Sequence, residues 1–156
     1  MLKVVGIDPG ESVGIALWEG DGMDGGGVSV WECLSSGRMQ SWTFTSEWAK
    51  KDRLEHCAAV QYYLWELGLT DADCWAIERW QPGAGPGSSN TSADQVGWYL
   101  AGWLGGYTMG IEFQGPSEAM TFATDKRLKD AGLWVPGRPH ENDARRHVCV
   151  RLAKGV

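Results

Sequence analysis

The sequence predicts one α/β domain whose mixed sheet opens with a hairpin and is extended through helical crossovers. Three observations carry that prediction. Val4, Val5 and Ile7 form an apolar run that ends on Asp8, turns at Pro9-Gly10 and returns through Val13, Ile15 and Leu17. A helix-period stretch follows, with Leu54, Cys57, Val60, Leu64 and Leu67 at spacings of three and four. A second short apolar run, Cys74, Trp75, Ala76 and Ile77, then also ends on a carboxylate, Glu78.

The first run offers no polar alternation, as expected of a strand buried on both faces. Asp8 stands where that strand leaves the sheet, a costly place for a carboxylate unless something positive meets it. Gly6, Gly10 and Gly14 keep side chains off the surrounding backbone, which suits a ligand lying close against it. A Gly/Asp-rich turn at 20–27 leads to residues 28–34, partly alternating and read as a third antiparallel strand. From Ser46 onward the period is helical, with Gly68 as the stop. Strand, helix and strand in that order imply a parallel pairing by crossover. Sites in such sheets form outside the carboxyl ends of strands, so Asp8 and Glu78 are expected at one edge.

Residues 81–90 form a Gly/Pro/Ser loop beside that edge, either a substrate-gripping element or a connector, and lack the G-K-[ST] ending of a phosphate loop. Ser92 and Gln95 read as a capping box opening a helix to about residue 109. On it Gly97, Ala101 and Gly105 make a stripe of small residues suited to close approach to the sheet or to a second subunit. A fifth strand is expected at Ile111–Gln114, then a short helix at 117–123. Lys126, Arg127 and Lys129 follow as a basic segment. Pro139 suits the first turn of a last helix, on which His140, Asp143 and His147 share a face.

At 156 residues the chain is long enough for one core and too short for two lobes. It has neither a membrane-length apolar run nor a signal-peptide layout, so a cytoplasmic protein is expected. Four scattered cysteines without a C-x-x-C pair imply reduced, buried thiols. The net charge of −6 argues against a generic DNA binder. Its distribution is uneven: Lys126, Arg127, Lys129, Arg138, Arg145, Arg146, Arg151 and Lys154 all lie in the last quarter, a sign of an anionic partner or of a solvated basic helix. Most of the 10 tryptophans are expected in packing, with one or two free to stack on bases.

Asp8, Glu78 and Asp143 thus have structural reasons to meet. Converging carboxylates without a cation repel and raise one another's pKa. Hard divalent ions such as Mg²⁺ or Mn²⁺ relieve this through oxygen ligands. A zinc protease is excluded on spacing, because His140-Glu141 is followed by Ala144 where a second histidine would be needed.

Ile7-Asp8-Pro9-Gly10 opening a hairpin, Ile77-Glu78 closing a later strand and His140-x-x-Asp143-Ala144 near the C-terminus resemble RuvC-type Holliday junction resolvases. The pattern is similar in particular to the compact RuvC-like endonucleases of phages. That resemblance implies an RNase H-like fold, a mixed five-stranded sheet flanked by helices, spanning residues 1–156. It implies two Mg²⁺ or Mn²⁺ ions, with Asp8 bridging them, Glu78 and Asp143 as ligands, and His140 in the fourth catalytic position as ligand or proton carrier. It also implies paired cleavage of four-way junctions by a homodimer in the bacterial cell, encoded there or by a phage. Lys126, Arg127, Lys129, Arg145 and Arg146 are then the expected DNA contacts, and His147 a structural residue. The chain departs from the pattern in two ways. Ser117-Glu118-Ala119-Met120 stands where the family usually carries a lysine, with Lys126 matching a second one, and the overall charge is acidic. Two other classes fit parts of the sequence. Actin-like ATP-binding proteins share the Asp-bearing hairpin but need two lobes, and a non-catalytic nucleic-acid module would not retain unneutralised acids. Among nucleases, a flap, fork or bubble nickase uses the same chemistry.

Overall fold

The computed structural model describes residues 1–23, 27–79 and 91–156. Strands β1 (Leu2–Asp8), β2 (Ser12–Gly20) and β3 (Arg38–Thr45) form an antiparallel meander, with helix α1 (Val30–Ser36) between the second and third. Helix α2 (Arg53–Glu66) crosses over to β4 (Cys74–Glu78), which pairs parallel to β1. Helix α3 (Thr91–Leu104) then leads to β5 (Ile111–Gln114), parallel to β4. Helices α4 (Pro116–Phe122), α5 (Asp125–Asp130) and α6 (Pro139–Ala153) complete the chain. The sheet order is β3-β2-β1-β4-β5, the mixed five-stranded arrangement expected.

The two faces of this sheet differ in kind. One is bulky: Val5, Ile7, Ile15, Leu17, Trp75 and Ile77 pack under α2 and α3 with Val60, Leu64, Val96 and Leu100. The other carries the alternate residues and is apolar at one end, with Val4, Trp18 and Cys74. Toward the carboxyl ends of β1 and β4 it is small or polar, with Gly6, Asp8, Gly14, Ala16, Ser41, Thr43, Ala76, Glu78 and Gln114. The strands therefore do alternate, in size and polarity rather than in simple apolarity. On this second face α6 lies close to the backbone. A Cβ on Gly6 would collide with the Ala144 carbonyl, and one on Gly14 with the His140 carbonyl. The clearance at these two glycines, expected to serve a ligand, is filled by the last helix. Because α6 rests on small and polar residues, it buries Glu141, Asn142, Arg146 and His147 along with Ala144, Val148 and Cys149.

Three element expectations are corrected. Residues 28–34 are not a strand, because Ser29 caps α1. Its Oγ accepts from Glu32 N at 3.2 Å and its N–H donates to Glu32 Oε2 at 2.8 Å, a reciprocal capping box. The third strand lies later, at β3. Helix α3 begins at Thr91, so Ser92 is inside it rather than capping it, and it ends at Leu104 before Gly105-Gly106 instead of near residue 109. Leu54, placed on the apolar stripe by its spacing, falls in the first turn of α2 and is exposed. Gly68 does end that segment, at φ 71°. The 81–90 loop lies outside the described residues. All four cysteines are buried, as expected. Among the described residues no helix is long and apolar enough to cross a membrane.

Candidate active site

Asp8 and Glu78 end adjacent parallel strands, and the first turns of α6 pass over them. Gly14 is the register partner of Asp8. Its missing side chain lets the His140 backbone settle on β2, which brings the imidazole to Asp8. His140 Nδ1 donates to Asp8 Oδ2 at 2.8 Å. Asp143, one turn along, is held by Arg146 Nε at 3.2 Å from its Oδ1. His147, a further turn along, places Nε2 2.8 Å from Glu78 Oε2. Each of the three carboxylates thus has its own partner from α6, and the four expected site residues are drawn to one edge of the sheet.

Asp8 is the most perturbed of them. Burial pushes its carboxyl up from 3.8 to about 6. The hydrogen bond from His140 opposes this, and the charges of Glu78 and Asp143 reinforce it. His140 is raised in turn, chiefly by its bond to Asp8. Unlike Asp8, its side chain is 45% exposed, so this proton is open to exchange with solvent.

These shifts set the pH dependence of stability without divalent ions. Between 3.8 and about 6 the folded chain holds a proton on Asp8 that the unfolded chain releases, so stability is lost as pH rises through that window. The raised His140 acts in the same direction, its contribution lost as pH climbs above its ordinary 6.5. At about 1.4 kcal/mol per pKa unit, ionised Asp8 costs at most about 3 kcal/mol at pH 7. For a chain of this size that is roughly 6–12 °C in Tm. Metal-free Asp8→Asn is therefore expected to gain on wild type in Tm as pH goes from 4 to 7. A pH-independent difference between the two would show that Asp8 is not a strained, buried acid.

Three carboxylates and one imidazole form an oxygen-rich donor set of the kind hard divalent ions take. The raised Asp8 marks a place where positive charge is wanted. Among the described residues no three His, Cys, Asp or Glu side chains stand close enough together to hold a metal ion. Their oxygens are instead engaged by α6. The set fits a hard divalent ion in chemistry and charge.

The expected DNA contacts divide into two groups. Lys126, Arg127 and Lys129 lie on the surface of α5. Lys126 pairs with Asp130 at 2.6 Å, Arg127 donates to the Phe122 carbonyl at 2.6 Å, and Lys129 lies 4.8 Å from the Trp134 ring centroid. Arg145 and Arg146 instead make their hydrogen bonds within the fold. Arg145 donates to Ser41 Oγ at 2.9 Å and to the Leu133 carbonyl at 2.8 Å, and burial lowers its pKa. Arg146 is buried among Asp143, Asp125 and the Ala123 carbonyl, where it ties α6 to the start of α5. The spacing of Asp143 and Arg146, opposite charges three apart on a helix, was the available signal for that role.

Sequence reasoning also passed over His56. Buried on α2, it places Nε2 2.8 Å from the Gly10 carbonyl and Nδ1 2.7 Å from Ser46 Oγ. Ser46 Oγ already accepts from Trp48 N, so its hydroxyl proton is free to donate to Nδ1, and Nε2–H then donates to Gly10. This clamps the turn that follows Asp8.

No family model and no curated protein matches the sequence. Solved structures do. T. thermophilus RuvC in complex with a Holliday junction substrate aligns over 99% of this chain and 96% of its own, at 18% identity and a TM-score of 0.63. A second Thermus thermophilus RuvC structure aligns over 98% and 96%, at 16% identity and a TM-score of 0.68. The fold is that of RuvC. The mixed sheet flanked by helices, read from strand periods and motifs, is thus the RuvC arrangement of the RNase H-like class. In it the Asp8 and Glu78 strands lie side by side at the centre of the sheet.

Proposed function

We propose that this chain is a divalent-metal-dependent endonuclease that resolves four-way DNA junctions. The observation that carries the reading is the meeting of Asp8, Glu78, His140 and Asp143 at the carboxyl ends of two central strands. It is supported by the RuvC fold along nearly the whole chain, and by the Holliday junction held in one solved RuvC complex.

Asp8, Glu78 and Asp143 would hold two Mg²⁺ or Mn²⁺ ions, with His140 beside them as a ligand or as the group that moves a proton. Bound there, such ions would supply Lewis acidity, lowering the pKa of an attacking water and offsetting charge on the departing 3′ oxygen of an in-line hydrolysis that leaves a 5′-phosphate. The chain's own part is to give each acid a hydrogen-bond partner from α6 and to offer one exchangeable proton on His140.

Lys126, Arg127 and Lys129 on α5 would grip the phosphates. Changing all three to Glu is expected to weaken binding of every DNA sequence and to reduce the salt slope by up to about 3. Unchanged affinity and slope would move DNA binding away from α5.

Two symmetric nicks require two sites, and a two-fold homodimer supplies them. At Gly97 the stripe on α3 serves the close approach to the sheet, one of the two uses its spacing suggested. A Cβ on Gly97 would lie near Ile77 and Pro9, so that part of α3 packs on the site strands. Trp98, exposed and 4.7 Å from the Phe113 ring, remains available to a second copy.

The test is cleavage of a supercoiled cruciform plasmid in Mg²⁺, with and without chelator, alongside sedimentation at micromolar concentration. Linear product formed in one binding event by a dimer is the expected result. A monomer giving only nicked circles would leave a flap, fork or bubble nickase. No cleavage in Mg²⁺ or Mn²⁺ would leave a non-catalytic nucleic-acid module.

A further inference from the structure

Glu78 and Gln114 are register partners on the parallel strands β4 and β5, so both side chains rise from the same face of the sheet. His147 of α6 is seated across the two. It is fully buried, with Nε2 2.8 Å from Glu78 Oε2 and Nδ1 2.9 Å from Gln114 Oε1. A carboxylate accepts hydrogen bonds, so His147 Nε2 is the donor of that pair. Gln114 Nε2 is buried with no hydrogen-bond partner among the described residues. Rotating that amide by half a turn would bring its N–H to Nδ1. In either orientation of the amide Nε2–H points at Glu78.

We infer that His147, steadied by Gln114, is a positioning residue that pins one oxygen of Glu78 and thereby orients its carboxylate toward a divalent cation. This rests on the metal-site reading of Asp8, Glu78 and Asp143. It sets His147 apart from His140. His140 is half-exposed and bonded to Asp8, the carboxylate most in need of charge, whereas His147 is sealed beneath Glu78 and never reaches solvent. A buried imidazole with a polar partner on each nitrogen has a fixed ring plane, which a side chain held by packing alone would lack. Hydrogen-bond partners of ligating groups commonly alter metal affinity about 10–100-fold when removed.

The experiment is Mn²⁺ titration of the intact chain without DNA, followed by calorimetry and by water-proton relaxation. Wild type, His147→Phe, His147→Gln, Glu78→Gln and the Glu78→Gln/His147→Phe double variant are compared, with folding checked by circular dichroism. His147→Phe is expected to weaken Mn²⁺ binding about 10–100-fold. His147→Gln, whose amide N–H can reach toward Glu78, is expected to recover part of that loss. In the Glu78→Gln background the His147→Phe change is expected to add nothing. Wild-type affinity in folded His147→Phe, or an equal further loss in the double variant, overturns the inference and leaves the metal reading standing. A wild-type chain that binds no Mn²⁺ overturns the metal reading and this inference together. Should His147→Phe fail to fold, Gln114→Leu carries the test: weaker Mn²⁺ binding supports the inference, and unchanged binding overturns it.

Discussion

Asp8→Asn is expected to reduce junction cleavage by three orders of magnitude or more while leaving the chain folded. Asp8 is the member of the acid set that senses all the others. Burial, Glu78 and Asp143 push it toward protonation, and His140 pulls it back. An amide in its place still offers an oxygen to the His140 Nδ1–H, so the fold keeps that contact. What is lost is the negative charge that attracts a cation, and metal stabilisation of a phosphodiester transition state is worth several kcal/mol. At 1.36 kcal/mol per tenfold in rate, this reaches a factor of a thousand. The same variant is expected to be more stable than wild type at pH 7 without metal and to gain little when Mg²⁺ is added, whereas wild type gains Tm by linkage. Cleavage by Asp8→Asn at the wild-type rate in a chelator-sensitive assay would remove Asp8 from the site.

Gly14→Ala is expected to destabilise the chain by about 3 kcal/mol or more and to lose cleavage with it. The added methyl would meet the His140 carbonyl and then its Cβ, atoms of a helix backbone that no rotamer change can move aside. Relief requires α6 to lift from β2, and lifting it there draws His140 away from Asp8. Gly102→Ala is the control. It lies in α3 with open space around the position of a Cβ, so the change is expected to be neutral or to add up to about 1 kcal/mol of helix stability. Urea melts of the two variants against wild type make the comparison. A Gly14→Ala protein with wild-type stability and activity would show that the close seating of α6 does not hold the site together.

Much of the architecture follows from short-range features. Both runs that end on Asp8 and Glu78 are punctuated by turn residues, and the helical period of α2 stops at a glycine in the left-handed region. Pro139 opens α6, which puts His140 and Asp143 on one face of a helix whatever the rest of the chain does. The error at residues 28–34 was also local, since Ser29 and Glu32 already held the capping-box spacing that outweighed a β-rich composition. The roles of the remaining site residues have a different origin. Arg146 looks like a surface cation and is an interior brace, and Gln114 carries no motif. His147 meets Glu78 across 69 positions and Gln114 across 33. Periodicity and capping act within a few residues and can be read along the chain. Which side chains face one another depends on strand register and on how closely α6 sits upon Gly6 and Gly14, contacts that exist once distant segments have packed.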